Sequence, residues 1–184
     1  MLRNEAIWLG REIGKISATK IGNVLDLGSG SLFFRKLRQP WINKCIFDPL
    51  EARGINVIHS DFELDVISAG FTKRAEKLGS FKSVFAFNLL EHVADYKKAA
   101  KNIISVIPRD GYLFVSCPKV FPYHPSPIDN GFRPTPIELA NLFPKAKIIK
   151  KVVINQKIKM MFTRKGILFG KKYSASCLIL KTTN

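Results

Sequence analysis

Val24-Leu25-Asp26-Leu27-Gly28-Ser29-Gly30 decides how this chain is to be read. Asn23 to Leu27 is a short strand-like run, and Gly28-Ser29-Gly30 stops it. Leu32 to Leu37 then has the pattern of the first turns of a helix, ending before Pro40. Glycines at the carboxyl end of a first strand let the backbone turn tightly and approach a ligand closely. The following helix offers unpaired N–H groups to a carboxylate or phosphate lying above it. A dinucleotide site would want a third glycine where Phe33 stands. Asp26 at the strand end would repel a pyrophosphate, whereas it suits an ammonium group. The expected ligand therefore carries both a carboxylate and an ammonium.

Outward from this turn, strand-like and helical patterns alternate, the sign of an α/β sheet with crossover helices. Residues 4–16 read as a lead-in helix with Ile7, Trp8, Ile13 and Ile16 available for an apolar face. Further strands are expected at Cys45–Phe47, Asn56–Ile58, Ser83–Phe87 and Tyr112–Ser116, with a helix over roughly Ala94–Val106. Thr135 caps a short helix with Pro136 at its first position. Two β-branched runs, Lys147–Ile154 and Ser174–Thr182, close the chain, with a long loop between them. The expected fold is a doubly wound, seven-stranded, mostly parallel Rossmann-like sheet whose last strand is antiparallel. It would form one domain over 1–184, with a lead-in helix within 1–20, a Pro-rich lid or acceptor loop at 117–136 and a basic loop at 156–173.

Acids recur where that fold puts ligands. Asp48 ends the second strand, where a carboxylate would accept from ribose hydroxyls. Asp61 ends the third, where an adenine amino group could donate to it, with Phe62 beside the ring. In open α/β sheets the carboxyl edge of the strands is the ligand edge. With these residues in view, the chain resembles the class I S-adenosylmethionine-dependent methyltransferases, especially the small type-11-like group. The resemblance rests on VLDLGSG at 24–30, FDPL at 47–50, SDF at 60–62, FNLLEHV at 87–93 and DGYLFVSCP at 110–118. It implies S-adenosylmethionine as cofactor, with S-adenosylhomocysteine as product. It also implies that Asp26 to Gly30 line the methionine part, Asp48 binds ribose, and Asp61 and Phe62 meet adenine. Asn88 would lie beside the methionine or the transferring methyl. The chain departs from the family where Leu32 replaces a third glycine, and where FKSV at 81–84 lacks the usual acid.

Methyl transfer from a sulfonium is an in-line displacement, so alignment and exclusion of water are the protein's main tasks. A hydroxyl acceptor still needs a general base, whereas an amine loses its proton more easily. Glu91, His92, His124 and Asp129 are the candidates, with His92 first because imidazole titrates near neutrality and His124 second. Glu91, His92 and Asp95 supply metal-ligand atoms on one segment, but without a ligand spacing such as HxxxH, so no metal is expected. Tyr123, His124, Asp129 and Arg133 sit in the Pro-rich stretch and would face an acceptor. An Asp-Pro-Pro-Tyr-type motif, which would favour nitrogen methylation, is absent after the fourth strand.

Composition bounds the rest. The 184 residues are 46% hydrophobic and 24% charged, an ordinary globular mixture. Cys45, Cys117 and Cys177 are too few and too scattered for a disulfide scaffold or a cysteine-built zinc site, and fit a reducing compartment. No apolar run approaches the roughly 20 residues of a membrane span, and a cytoplasmic protein is expected. Charge is the outlier, at +16 with a pI near 10.0. After Glu138 there is no acid at all. Such one-sided charge collects polyanions, so RNA or an anionic surface is an expected partner of the basic C-terminal region. The expected activity is O-methylation of a small-molecule or sugar-type acceptor; the alternatives are RNA methylation and a non-catalytic binding subunit.

Overall fold

The computed structural model describes residues 2–28, 52–55, 62–124, 128–157, 162–163, 166–167 and 172–183. In chain order the elements are α1 (Arg3–Gly14), α2 (Ala18–Ile21), β1 (Val24–Leu27), β2 (Ala52–Ile55), α3 (Phe71–Leu78) and β3 (Ser83–Phe87). A 3-10 turn (Leu90–His92) follows, then α4 (Tyr96–Ser105), β4 (Tyr112–Val120), α5 (Pro136–Asn141), β5 (Ala146–Lys157), β6 (Phe162–Thr163), β7 (Gly166–Ile167) and β8 (Lys172–Thr182). The main sheet has the order β2-β1-β3-β4-β8-β5.

β1 pairs in parallel with both β2 and β3, and β3 with β4. The chain order thus reverses beside β1, which is where doubly wound sheets bind ligands. β8 is antiparallel to both β4 and β5. As expected, the last strand alone runs against the others, and β5 points its carboxyl end to the same edge as β1, β3 and β4.

The burial pattern explains the architecture. β1 and β3 are buried at every position, the pattern of strands covered on both faces. On one face α1 inserts Ala6, Leu9 and Ile13 against Val24, Phe85, Phe87 and Phe114. The Phe85 and Phe114 rings meet edge to face there, centroids 4.9 Å apart. On the other face α3, α4 and α5 contribute Phe71, Ala75, Ile103 and Leu139 to a core with Leu25, Leu27, Leu113 and Leu178.

The sheet differs from expectation in several places. Six strands of the main sheet lie among the described residues, not seven. The runs Cys45–Phe47 and Asn56–Ile58 fall outside the described residues, as does the helix expected from Leu32, and the neighbour of β1 is Ala52–Ile55. The 156–173 segment is not all loop: β5 continues to Lys157, β8 begins at Lys172, and β6 and β7 pair as an antiparallel ribbon between them. Likewise β4 runs on to Val120, because Cys117, Pro118 and Val120 still pair with β8, so the Pro-rich connector starts later than residue 117.

α5 closes that connector with a reciprocal cap. The Glu138 amide donates to Thr135 Oγ1 (3.2 Å), and the Thr135 amide donates to Glu138 Oε2 (2.7 Å). Thr135→Ala should cost about 1 kcal/mol of stability, read from the urea midpoint, and leave cofactor affinity unchanged.

Candidate active site

β1 carries Asp26 into the interior at 4% exposure. It shares a strand face with Val24, which packs under α1. Burial pushes its carboxyl up to about 8. The strand ends at Gly28, whose φ of +72° is left-handed, and a β-carbon there would sit 3.1 Å from Leu89 Cδ1. Conformation and space both call for glycine. The Leu27 side chain belongs to the core on the other face, so only its backbone is left for a ligand. Ser29, Gly30, Asp48 and Asp61 lie outside the described residues, as does Leu32; Phe62 is described and half-buried.

Further along the same edge, β3 ends at Asn88, which adopts a left-handed φ of +49°. Asparagine tolerates that conformation. Beside it opens a cleft of about 320 Å³, lined by Leu2 and Arg3, by Asn88, Glu91 and His92 after β3, by Pro118, Phe121 and His124 around the end of β4, and by Gln156, Ser174 and Ala175. Sequence reasoning missed the residue that ties this wall together. Glu5 of α1 is fully buried, and its Oε1 accepts from Asn88 Nδ2 at 3.0 Å and from the Ser116 hydroxyl. Its Oε2 accepts the Leu2 amide at 2.9 Å. Asn4 adds bonds to the Asn155 carbonyl and the Gln156 side chain, so α1 spans the ends of β3, β4 and β5.

The two histidines singled out from the sequence converge in the cleft. Their rings meet edge to face with centroids 4.9 Å apart. His92 sits on the 3-10 turn after β3, and its Nδ1 bonds the Ile128 carbonyl. His124 Nδ1 lies 3.0 Å from the Pro122 carbonyl and 3.1 Å from Asp129 Oδ2. Carbonyl and carboxylate oxygens only accept, so each Nδ1 holds a proton, and Nε2 is the nitrogen at which such a ring would act as a base.

Asp129 is buried, and Arg133 grips it through two hydrogen bonds, Nη1 to Oδ1 at 3.0 Å and Nη2 to Oδ2. That guanidinium, with the Gly131 and His124 amides, holds the carboxyl well below the usual carboxylate range despite desolvation. Glu91 is the opposite case: burial pushes it up to about 7, while Cys117 Sγ donates to its Oε2 across 3.6 Å. Its Oε1 lies 3.8 Å from His92 Nε2.

The Pro-rich connector is fastened to the site. Asn130 donates to the Leu90 and Val93 carbonyls at 2.8 and 2.7 Å, and its own amide donates to Glu91 O. Phe132 stacks on Tyr96 at a centroid distance of 4.0 Å. Of the polar residues expected to face an acceptor, Asp129 and Arg133 are engaged with each other, Tyr123 is exposed, and His124 lines the cleft.

Residues 8–151 match the family described as methyltransferase domain, which is most of the chain. The chain belongs to this methyltransferase family. It is an S-adenosylmethionine-dependent enzyme, as the motifs at β1 and β3 led us to expect. Solved structures agree in fold. A candidate methyltransferase from Bacillus halodurans superposes with a TM-score of 0.60 at 8% identity, covering 97% of this chain and 99% of the other. YcgJ from Bacillus subtilis gives 0.55 at 12% identity, covering 98% and 99%. The N-methyltransferase NodS from Bradyrhizobium japonicum, solved with S-adenosyl-L-homocysteine, gives 0.52 at 10% identity, covering 96% and 87%. At the level of sequence, comparison with curated proteins gives no match.

In this methyltransferase Asp95 accepts the Lys98 amide as the cap of α4 and is not turned toward Glu91 and His92 as a ligand. Among the described residues no group of three or more His, Cys, Asp or Glu side chains could hold a metal ion. No helix among them is long and apolar enough to cross a membrane.

Proposed function

We propose that this methyltransferase transfers the methyl group of S-adenosylmethionine to a hydroxyl of a small-molecule or sugar-type acceptor seated in the cleft, with His124 as general base. The convergence of two imidazoles, each with Nδ1 tied as a donor, in one cleft beside Asn88 carries this reading. Nitrogen acceptors make little demand on such a pair, whereas a hydroxyl requires one.

The residues present fit the cofactor. A buried carboxyl with a burial-raised pKa, beside a glycine turn that a side chain would fill, suits a ligand bringing its own ammonium. Asp26 and the Gly28–Gly30 turn would hold the methionine part, Asp48 the ribose, and Asp61 and Phe62 the adenine, with Asn88 beside the methionine or the reacting methyl. Bound S-adenosylmethionine supplies a methyl already activated on a sulfonium.

The chain's own part is alignment and proton removal. As the acceptor oxygen gains the methyl, its proton passes to His124 Nε2. The resulting imidazolium is stabilised through Nδ1–H by Asp129, which Arg133 keeps ionised. His92 braces the His124 ring edge to face, and its own Nδ1 bond fixes its plane. Support for reading 1–184 as one domain comes from β8, which lies beyond the family match yet sits inside the same sheet.

The test is product chemistry. The enzyme with methyl-labelled S-adenosylmethionine is offered a panel of sugars, phenols and amines, and the label is located by NMR. Label on oxygen is expected, and label confined to nitrogen would overturn the hydroxyl reading.

A further inference from the structure

Val120, Phe121, Tyr123 and Ile128 are four of the seven large apolar side chains that stand exposed among the described residues, at 54%, 37%, 68% and 47%. All four fall where the chain leaves β4, a stretch in which Phe121 and His124 line the cleft and the Ile128 carbonyl bonds His92. Phe121 meets Tyr173 with ring centroids 5.2 Å apart, which carries the apolar rim across to the start of β8. One register step beyond the Gln156–Tyr173 pair, Lys157 faces Lys172, and both are exposed. Among the described residues the acids of this region do not offset them. Glu91 and Asp129 are buried, and exposed Asp95 is followed by exposed Lys97 and Lys98. The rim thus combines apolar tips with cations on a chain of net charge +16.

Clustered aliphatic and aromatic tips are unusual on a surface meant only for water. Single-stranded nucleic acid would use the cations and the aromatic rings, but Val120 and Ile128 give a base or a phosphate nothing to grip. An anionic bilayer satisfies both halves: apolar tips enter the head-group boundary while lysines meet phosphates. We propose that the mouth of the cleft docks on an anionic lipid surface. Its consequence, that an amphiphilic acceptor reaches the cleft from that surface, rests on the acceptor reading above.

Sedimentation with phosphatidylcholine vesicles, with and without phosphatidylglycerol, tests the docking. Wild-type protein should pellet with the anionic vesicles and not with the neutral ones. Val120→Ser with Tyr123→Ser should lower partitioning about tenfold, and Lys157→Glu with Lys172→Glu about twentyfold or more, at roughly fivefold per lysine. Unchanged S-adenosylmethionine affinity by calorimetry would show both variants folded. Equal binding to neutral vesicles, or retention unaffected by the apolar pair, would overturn the proposal. So would a single-stranded RNA pool that strips the protein from vesicles and binds the apolar variant as well as wild type. Because vesicle binding is read without turnover, label confined to nitrogen would sink the acceptor reading and leave the docking result standing.

Discussion

Asp26→Asn should weaken S-adenosylmethionine binding by about 100-fold or more, the scale of removing one partner from a buried charge pair. Wild-type binding should also depend on pH in a way the variant does not share. In the free protein burial pushes the Asp26 carboxyl up to about 8, so near neutrality it holds a proton. In the proposed site it would face the cofactor's ammonium and give that proton up. Affinity should therefore rise with pH through the neutral range and turn over once the cofactor's own α-ammonium loses its proton, at about 8. Calorimetry at pH 7 in buffers of different ionisation enthalpy should detect proton release in the wild type alone. A flat pH profile would remove Asp26 from the ammonium.

The same group acts on the stability of the free protein. Unfolded, Asp26 ionises near its ordinary 3.8; folded, near 8. Between those values the native state binds the extra proton. The Asp26 contribution is thus fully present below the lower value and is lost as pH rises toward the upper one. Glu91, pushed up to about 7, adds a slope of the same sign. Asp26→Asn should flatten the decline measured from pH 5 to 8.

His124→Ala should slow methyl transfer to a hydroxyl acceptor by about 10²–10⁴-fold, the usual range for a lost general base. Cofactor affinity should be unaffected, because the proposed role lies on the acceptor side. Single-turnover rates separate the candidates. His92→Ala, which removes a brace, should cost less than His124→Ala. Asp129→Asn should lower the rate, because the imidazolium loses the carboxylate across Nδ1. Equal rates for wild type and both histidine variants would leave the base unassigned. A larger loss for His92→Ala would exchange the two roles.

Much of this was legible in the sequence because local signals agreed with the tertiary fold. Val24–Leu27 and Ser83–Phe87 are short apolar runs ended by Gly28 and Asn88, and both backbones do turn left-handed there. Thr135 and Pro136 announced a helix start that the reciprocal cap explains. What stayed hidden depends on distant partners. Glu5 has the sequence of an ordinary polar helix residue, and nothing local says that Asn88 and Ser116 will enclose it. His92 and His124 were each visible, but their meeting depends on the path of the Pro-rich connector and on Asn130 fastening it. Ala52–Ile55, with Arg53 and Gly54 in its middle, lacks a strand's composition; pairing with β1 makes it one. α3 was missed because Phe71 and Ala75 alone give too short an apolar repeat.

The reach of the lead helix has a bearing on biosynthesis. Asn4 bonds Asn155 and Gln156, and Glu12 pairs with Lys150 at 2.6 Å, so α1 finds these partners only after β5 has been made. The cleft wall cannot be finished before β5 and β8 have emerged. Nascent chains should stay open to proteases at α1 until β5 and β8 emerge, and truncation anywhere before β8 should yield products that never assemble a competent pocket.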